Sequence, residues 1–172
     1  CAMLDPRIAS SPSKLRASSS TSISTTPLTL EQVFEYFMEM DEARELLTDI
    51  SKLSPSELLF VVDVRLPRSE MDWARKKVRL TRKGWGGAYS MIRYRMDRAA
   101  LGKDPYTNYT FQEILDEGGI CMDQAYFAVN TAKCNGIPSA YVTGDGNRGP
   151  HAWVNLLTTD ETWQSYGGYG YN

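Results

Sequence analysis

The order of elements in the C-terminal third of this chain leaves few folds open. Gly118-Gly119 breaks a short helical stretch over 110–117, and a second helix is predicted over 120–135, where Gly136 and Pro138 stop it. A strand over 139–143, a Gly-rich loop over 144–149, a strand over 151–157, a turn over 158–161 and a return strand over 163–166 follow. Helices that precede an antiparallel hairpin sheet make an α+β arrangement. Along the predicted helix, Cys121, Ala125, Ala128, Val129 and Ala132 share one face. Its mostly small side chains allow close packing on a sheet.

Upstream the pattern is helical. Thr29 followed by Gln32 reads as a capping box, and Leu30, Val33, Phe34, Phe37 and Met38 keep the spacing of an amphipathic helix. A second helix is expected over 42–53. Ser54-Pro55-Ser56-Glu57 is a further start signal, leading into an apolar run over 58–64 that fits a buried helix or a strand. Helices are also expected over 69–80 and 88–100. Residues 1–27 are rich in Ser, Thr and Pro and low in aromatics, which predicts a disordered tether. The expected organisation is therefore a tether (1–27), a helical region (28–105) and a core (106–172), with 28–172 forming one compact domain.

Hydrophobic residues at 42%, charged residues at 23% and a net charge of -2 are ordinary for a globular protein and give no reason to expect nucleic acid as a partner. Between Arg65 and Lys83 eight Lys/Arg face two acids, a run read as a solvated helix face. No apolar stretch approaches the ~20 residues that cross a bilayer. The cysteines are Cys1, Cys121 and Cys134. On one helix, the thirteen-residue spacing of the last two is ~20 Å of rise, far more than a disulfide spans. Cys1 followed by a Ser/Thr-rich run has the form of a bacterial lipoprotein after signal cleavage. That form predicts lipidation at Cys1, a membrane tether and a place in the cell envelope or outside the cell.

Two positions carry chemistry. Cys121 follows Gly118-Gly119-Ile120 at the start of a helix, and His151, the single histidine, opens a strand in Pro150-His151-Ala152-Trp153-Val154. A thiol attacks a carbonyl as its thiolate, and a helix N-terminus favours an anion. An imidazole is the natural base for such a nucleophile. One histidine and no Cys-x-x-Cys imply neither a metal site nor any other cofactor.

Three segments in order, Gly119-Ile120-Cys121, Cys134-Asn135-Gly136-Ile137-Pro138-Ser139-Ala140-Tyr141-Val142 and His151-Ala152-Trp153-Val154, resemble the core of the transglutaminase-like superfamily over about residues 106–170. The resemblance implies a papain-like core, with a Cys-bearing helix packed on a small antiparallel sheet. It implies Cys121 as nucleophile, His151 as base and the Cys121 backbone N–H in an oxyanion hole. On the residues themselves, Gly119 would allow a substrate close approach, and Trp153 is a candidate wall of the cleft. The family's third member is usually an acid on the strand after the histidine strand. Here the residues expected opposite His151, near 167–170, hold none. Asn172, Tyr166 and Asp145 are the remaining candidates to orient the ring.

The expected activity is thiol acyl transfer on a peptide-type amide, most simply that of a cysteine peptidase or amidase on a peptide or protein substrate. The competing expectation is a catalytically inactive scaffold of the same family that binds peptide or cell-envelope material. Oligomeric state is left open.

Overall fold

The computed structural model describes residues 25–146 and 149–168. The expectations for Cys1, for most of the tether and for Asn172 fall outside those residues. Helices α1 (Leu30–Glu42), α2 (Pro55–Val62), α3 (Arg68–Lys77), α4 (Ala88–Met91), α5 (Met96–Leu101), α6 (Phe111–Glu117) and α7 (Cys121–Cys134) precede strands β1 (Ser139–Gly146), β2 (Gly149–Leu157) and β3 (Trp163–Tyr166). The strands form one antiparallel sheet in the order β1-β2-β3. This is the expected α+β fold, with a Cys-bearing helix on a small sheet.

Three helices begin at capping boxes, in which a hydroxyl and the side chain three residues later satisfy each other's backbone N–H. They are Thr29/Gln32 at α1, Ser54/Glu57 at α2 and Thr110/Glu113 at α6. At α2 the Ser54 N–H donates to Glu57 Oε2 at 2.7 Å, which with Pro55 in the first turn resolves the ambiguous run 58–64 as helix as far as Val62.

Two predicted helices give way to tertiary contacts. Over 42–53 the helix ends at Glu42, Arg44 takes φ +55°, and only the 3₁₀ turn Ile50–Lys52 is helical. The Leu47 N–H instead donates to the Asn135 carbonyl at 2.9 Å, tying the segment to the end of α7. Over 88–100 the helix divides into α4 and α5, because the chain between them pairs with Gly119: the Gly119 N–H donates to Arg93 O at 2.9 Å and the Arg95 N–H to Gly119 O at 2.8 Å. The expected loop at 144–149 is also shorter than predicted. Gly144, Asp145 and Gly146 continue β1, paired with His151, Pro150 and Gly149.

Helix α7 is the centre of the fold. Ala125, Ala128, Val129 and Ala132 are buried, and the helix makes its most extensive contacts with β2, where Ala152, Val154 and Leu156 are buried in alternation. Phe111, Phe127 and Trp85 are also fully buried, and transfer of each phenylalanine from water contributes roughly 1.5–3 kcal/mol. One apolar cluster runs from Val33 to Leu156. Among the described residues no helix is long and apolar enough to cross a membrane.

Helix α6, which leads into the Cys121 turn, is anchored to α3 by a charge. Glu70 is half-buried, and its Oε2 accepts the Phe111 N–H at 2.8 Å. Burial lifts its carboxyl above the ordinary range. Folding therefore favours the protonated acid, so stability should fall as pH rises from about 4.3 through the raised value, and level off above it. Glu70→Gln keeps the acceptor and removes the charge. Urea unfolding at pH 4 and pH 7 should show a smaller loss between the two for the variant than for the parent; an unchanged difference would exclude Glu70 as its source.

Candidate active site

The turn that delivers Cys121 is built from backbone and a buried ion pair. Gly118 ends α6 at φ +74°, and a side chain there would meet the Arg93 carbonyl at 2.5 Å, so the position requires glycine. A methyl group on Gly119 would lie 2.5 Å from Asp123 and 2.6 Å from the Tyr106 hydroxyl. Asp123, only 1% exposed, accepts the Ile120 N–H at 2.7 Å, accepts the Tyr109 hydroxyl at 2.9 Å and pairs with the Arg98 guanidinium. Tyr106 donates to Gly118 O at 2.6 Å and lies under Arg98, whose guanidinium carbon is 4.9 Å from the ring centroid. Burial pushes the Tyr109 hydroxyl well above its usual range, which keeps it a donor to Asp123. The Asp123 carboxylate stands two residues from Cys121 along the chain, and Arg98 balances its charge.

Cys121 is the first residue of α7 and is half-buried. The hydroxyl of Tyr141 on β1 is pushed upward by burial first and by Cys121 second. Cys134, at the other end of α7, is fully buried, and burial pushes its thiol far up. Of the two described cysteines, Cys121 is the one that is partly exposed.

His151 is the third residue of β2, on the face opposite the buried Ala152, Val154 and Leu156. Its ring stacks on Trp153, with centroids 6.2 Å apart and planes at 22°. Gly144 is its partner across β1, and a methyl group there would lie 2.9 Å from the Trp153 indole, so the missing side chain makes room for that ring. The ring's Nε2 is 2.5 Å from the Gly167 carbonyl oxygen. A carbonyl only accepts, so Nε2 carries a proton.

Asp145 pairs with Pro150, one position beyond the Gly144–His151 pair, and strand alternation puts its side chain on the other face of the sheet from the imidazole. Tyr166 pairs with Val154, and its hydroxyl donates to Gln164 Oε1 at 2.8 Å. Trp163, at the far end of the hairpin opposite Leu157, packs edge-on against Phe60 rather than beside His151.

Sequence reasoning missed Asp123, Arg98, Tyr106 and Tyr109. Asp123 carried a readable signal, since it lies three residues after the first capping position of α7. Arg98, from a different helix, carried none.

A helix opening with an accessible thiol, packed on a hairpin whose strand holds the histidine, defines a papain-like arrangement. The sequence pattern of the transglutaminase-like superfamily matches residues 71–167, more than half of the 172 residues, and the chain belongs to that superfamily. The match begins in α3, well upstream of Tyr106, where the resemblance was expected to start. No curated protein matches the chain. Among solved structures, a candidate cysteine protease from Cytophaga hutchinsonii shares the fold at 19% identity and a TM-score of 0.52. The correspondence covers 72% of this chain and 46% of that one, so this chain spans less than half the length of that protein.

Proposed function

We propose that the protein is a thiol acyl-transfer enzyme that acts on peptide-type amides, with Cys121 as nucleophile and His151 as base. The observation that carries this reading is the placement of the accessible thiol at the N-terminus of α7, the helix most extensively packed on the His151 strand. His151 Nδ1 takes the thiol proton and the sulfur attacks the amide carbonyl carbon. The oxyanion forms at the N-terminus of α7, where the Cys121 N–H supplies a donor and the helix dipole a favourable field. The tetrahedral species collapses, the C–N bond breaks, and the imidazolium returns its proton to the departing amine. Water, deprotonated by the same ring, then cleaves the thioester and restores the thiol. The room that a Gly119 side chain would need is taken by Asp123 and Tyr106, so Gly119 serves the turn, while Trp153 forms a wall next to the imidazole. The name of the Cytophaga protein supports hydrolysis over transfer to a second amine.

A second reading, an inactive scaffold that binds peptide or cell-envelope material, is favoured by one observation: His151 Nε2 is bonded to a neutral carbonyl, that of Gly167.

Iodoacetamide treatment of the folded protein, mapped by mass spectrometry, separates the two when combined with an assay on an unstructured protein with and without a primary amine. The enzyme reading expects alkylation at Cys121 with Cys134 spared, and new peptide termini or incorporated amine that vanish on alkylation and in Cys121→Ala. An unreactive Cys121, or a reactive one with neither product formed, would leave the scaffold.

A further inference from the structure

The Gly167 carbonyl reaches the imidazole through an interlock of two segments. Tyr89 on α4 is 7% exposed, and its hydroxyl donates to the carbonyl of Ala152, the residue after His151, at 2.9 Å. The same ring lies flat on Gly167: a methyl group there would fall inside the van der Waals envelope of three Tyr89 ring atoms. Gly167 has φ +78°, a conformation that turns the chain out of the strand and that glycine adopts without strain. The contact is reciprocal, because the Tyr166 ring lies on Gly86 in the same way, where a methyl group would overlap it. Each segment therefore places a tyrosine ring on a glycine of the other.

We propose that Tyr89 is a positioning residue that holds the Gly167 carbonyl on His151 Nε2, so that a backbone carbonyl does the orienting work of an acid. Tyr89 grips the two backbones that fix the ring, β2 through Ala152 and the end of β3 through Gly167. With Nε2–H committed to the carbonyl, the basic nitrogen is Nδ1, and rotation of the imidazole would cost that hydrogen bond. The role rests on the reading of His151 as the base.

The single histidine makes the test direct, since every imidazole signal in the protein is its own. Nitrogen-15 NMR of the labelled protein at neutral pH should show Nε2 protonated, with its proton shielded from exchange with water. In Tyr89→Leu and in Gly167→Ala that proton should exchange freely. The kcat for amide hydrolysis should fall about 10²-fold at unchanged KM, the size expected when a reacting group is displaced by about 1 Å. Tyr89→Phe keeps the ring on Gly167 and should retain the shielded proton. Gly167→Ala guards against misfolding of the buried-site variant, because Gly167 is only half-buried and follows the last residue of β3. A proton on Nδ1 in the parent protein, or a shielded Nε2–H that persists in both variants, would overturn the proposal. A parent protein that shows the shielded proton but no reactivity at Cys121 would instead sink the enzyme reading alone.

Discussion

His151→Ala is expected to lower kcat for amide hydrolysis by about 10²–10⁴-fold, with KM little changed, the range a positioned general acid–base contributes. The ring is asked to move a proton four times in each turnover: off the thiol, onto the leaving amine, off the attacking water and back onto the sulfur. Nothing else in the chain can substitute as an imidazole, because there is no second histidine. The effect is separable from folding. His151 is half-buried, on the face opposite Ala152, Val154 and Leu156, and it contacts Trp153 and Gly167. Loss of those contacts should cost on the order of 1 kcal/mol, or about 2–4 °C in Tm for a chain of this size. Steady-state kinetics beside a thermal melt decides the matter. A loss of kcat under about tenfold would remove His151 from the chemistry, and a collapse in Tm would assign it to the fold instead.

What the residues announced, and what they concealed, follows one physical division. Local signals were legible: the hydroxyl–carboxamide and hydroxyl–carboxylate pairs at Thr29/Gln32 and Ser54/Glu57 satisfy backbone donors within a single turn, and each begins a helix. The return strand was readable to the residue, because Trp163–Tyr166 follows a turn whose hydrogen bonds are local, among Thr158, Asp160 and Thr162. Propensity failed where a distant partner offered a better hydrogen bond. Asn135 captures Leu47 and unwinds the predicted helix over 42–53, and Gly119 captures Arg93 and Arg95 and divides the one over 88–100. The candidate site divides in the same way. Cys121 and His151 stand in short motifs, whereas the group on the ring's Nε2 is a backbone carbonyl, which every residue has and no sequence pattern marks. Only the positive φ of Gly167 leaves a trace of it, and a glycine alone does not say what its carbonyl will meet.

Removal of the Asp123 carboxylate should have the largest structural effect, a loss of about 3–5 kcal/mol for Asp123→Ala, the cost of breaking a buried ion pair from one side. Asp123 is 1% exposed and the side chain of Arg98 14% exposed, so the guanidinium left behind has little water to turn to. The Ile120 N–H and the Tyr109 hydroxyl lose their acceptor in the same step. From a total stability of 5–15 kcal/mol typical of a domain, such a loss would lower Tm by roughly 6–20 °C. Removing the charge on both sides should be milder than the two single changes summed, because Asp123→Ala with Arg98→Met leaves no stranded guanidinium. The site should respond as well: Asp123 holds the first turn of α7 through Ile120, so the alanine variant should alkylate Cys121 at a different rate even at temperatures where it remains folded. Urea unfolding of the four proteins of the cycle measures the coupling. A single-variant loss below about 1 kcal/mol, or strict additivity, would mean that the ion pair is solvated and that the Cys121 turn is held by Gly118 and Gly119 alone.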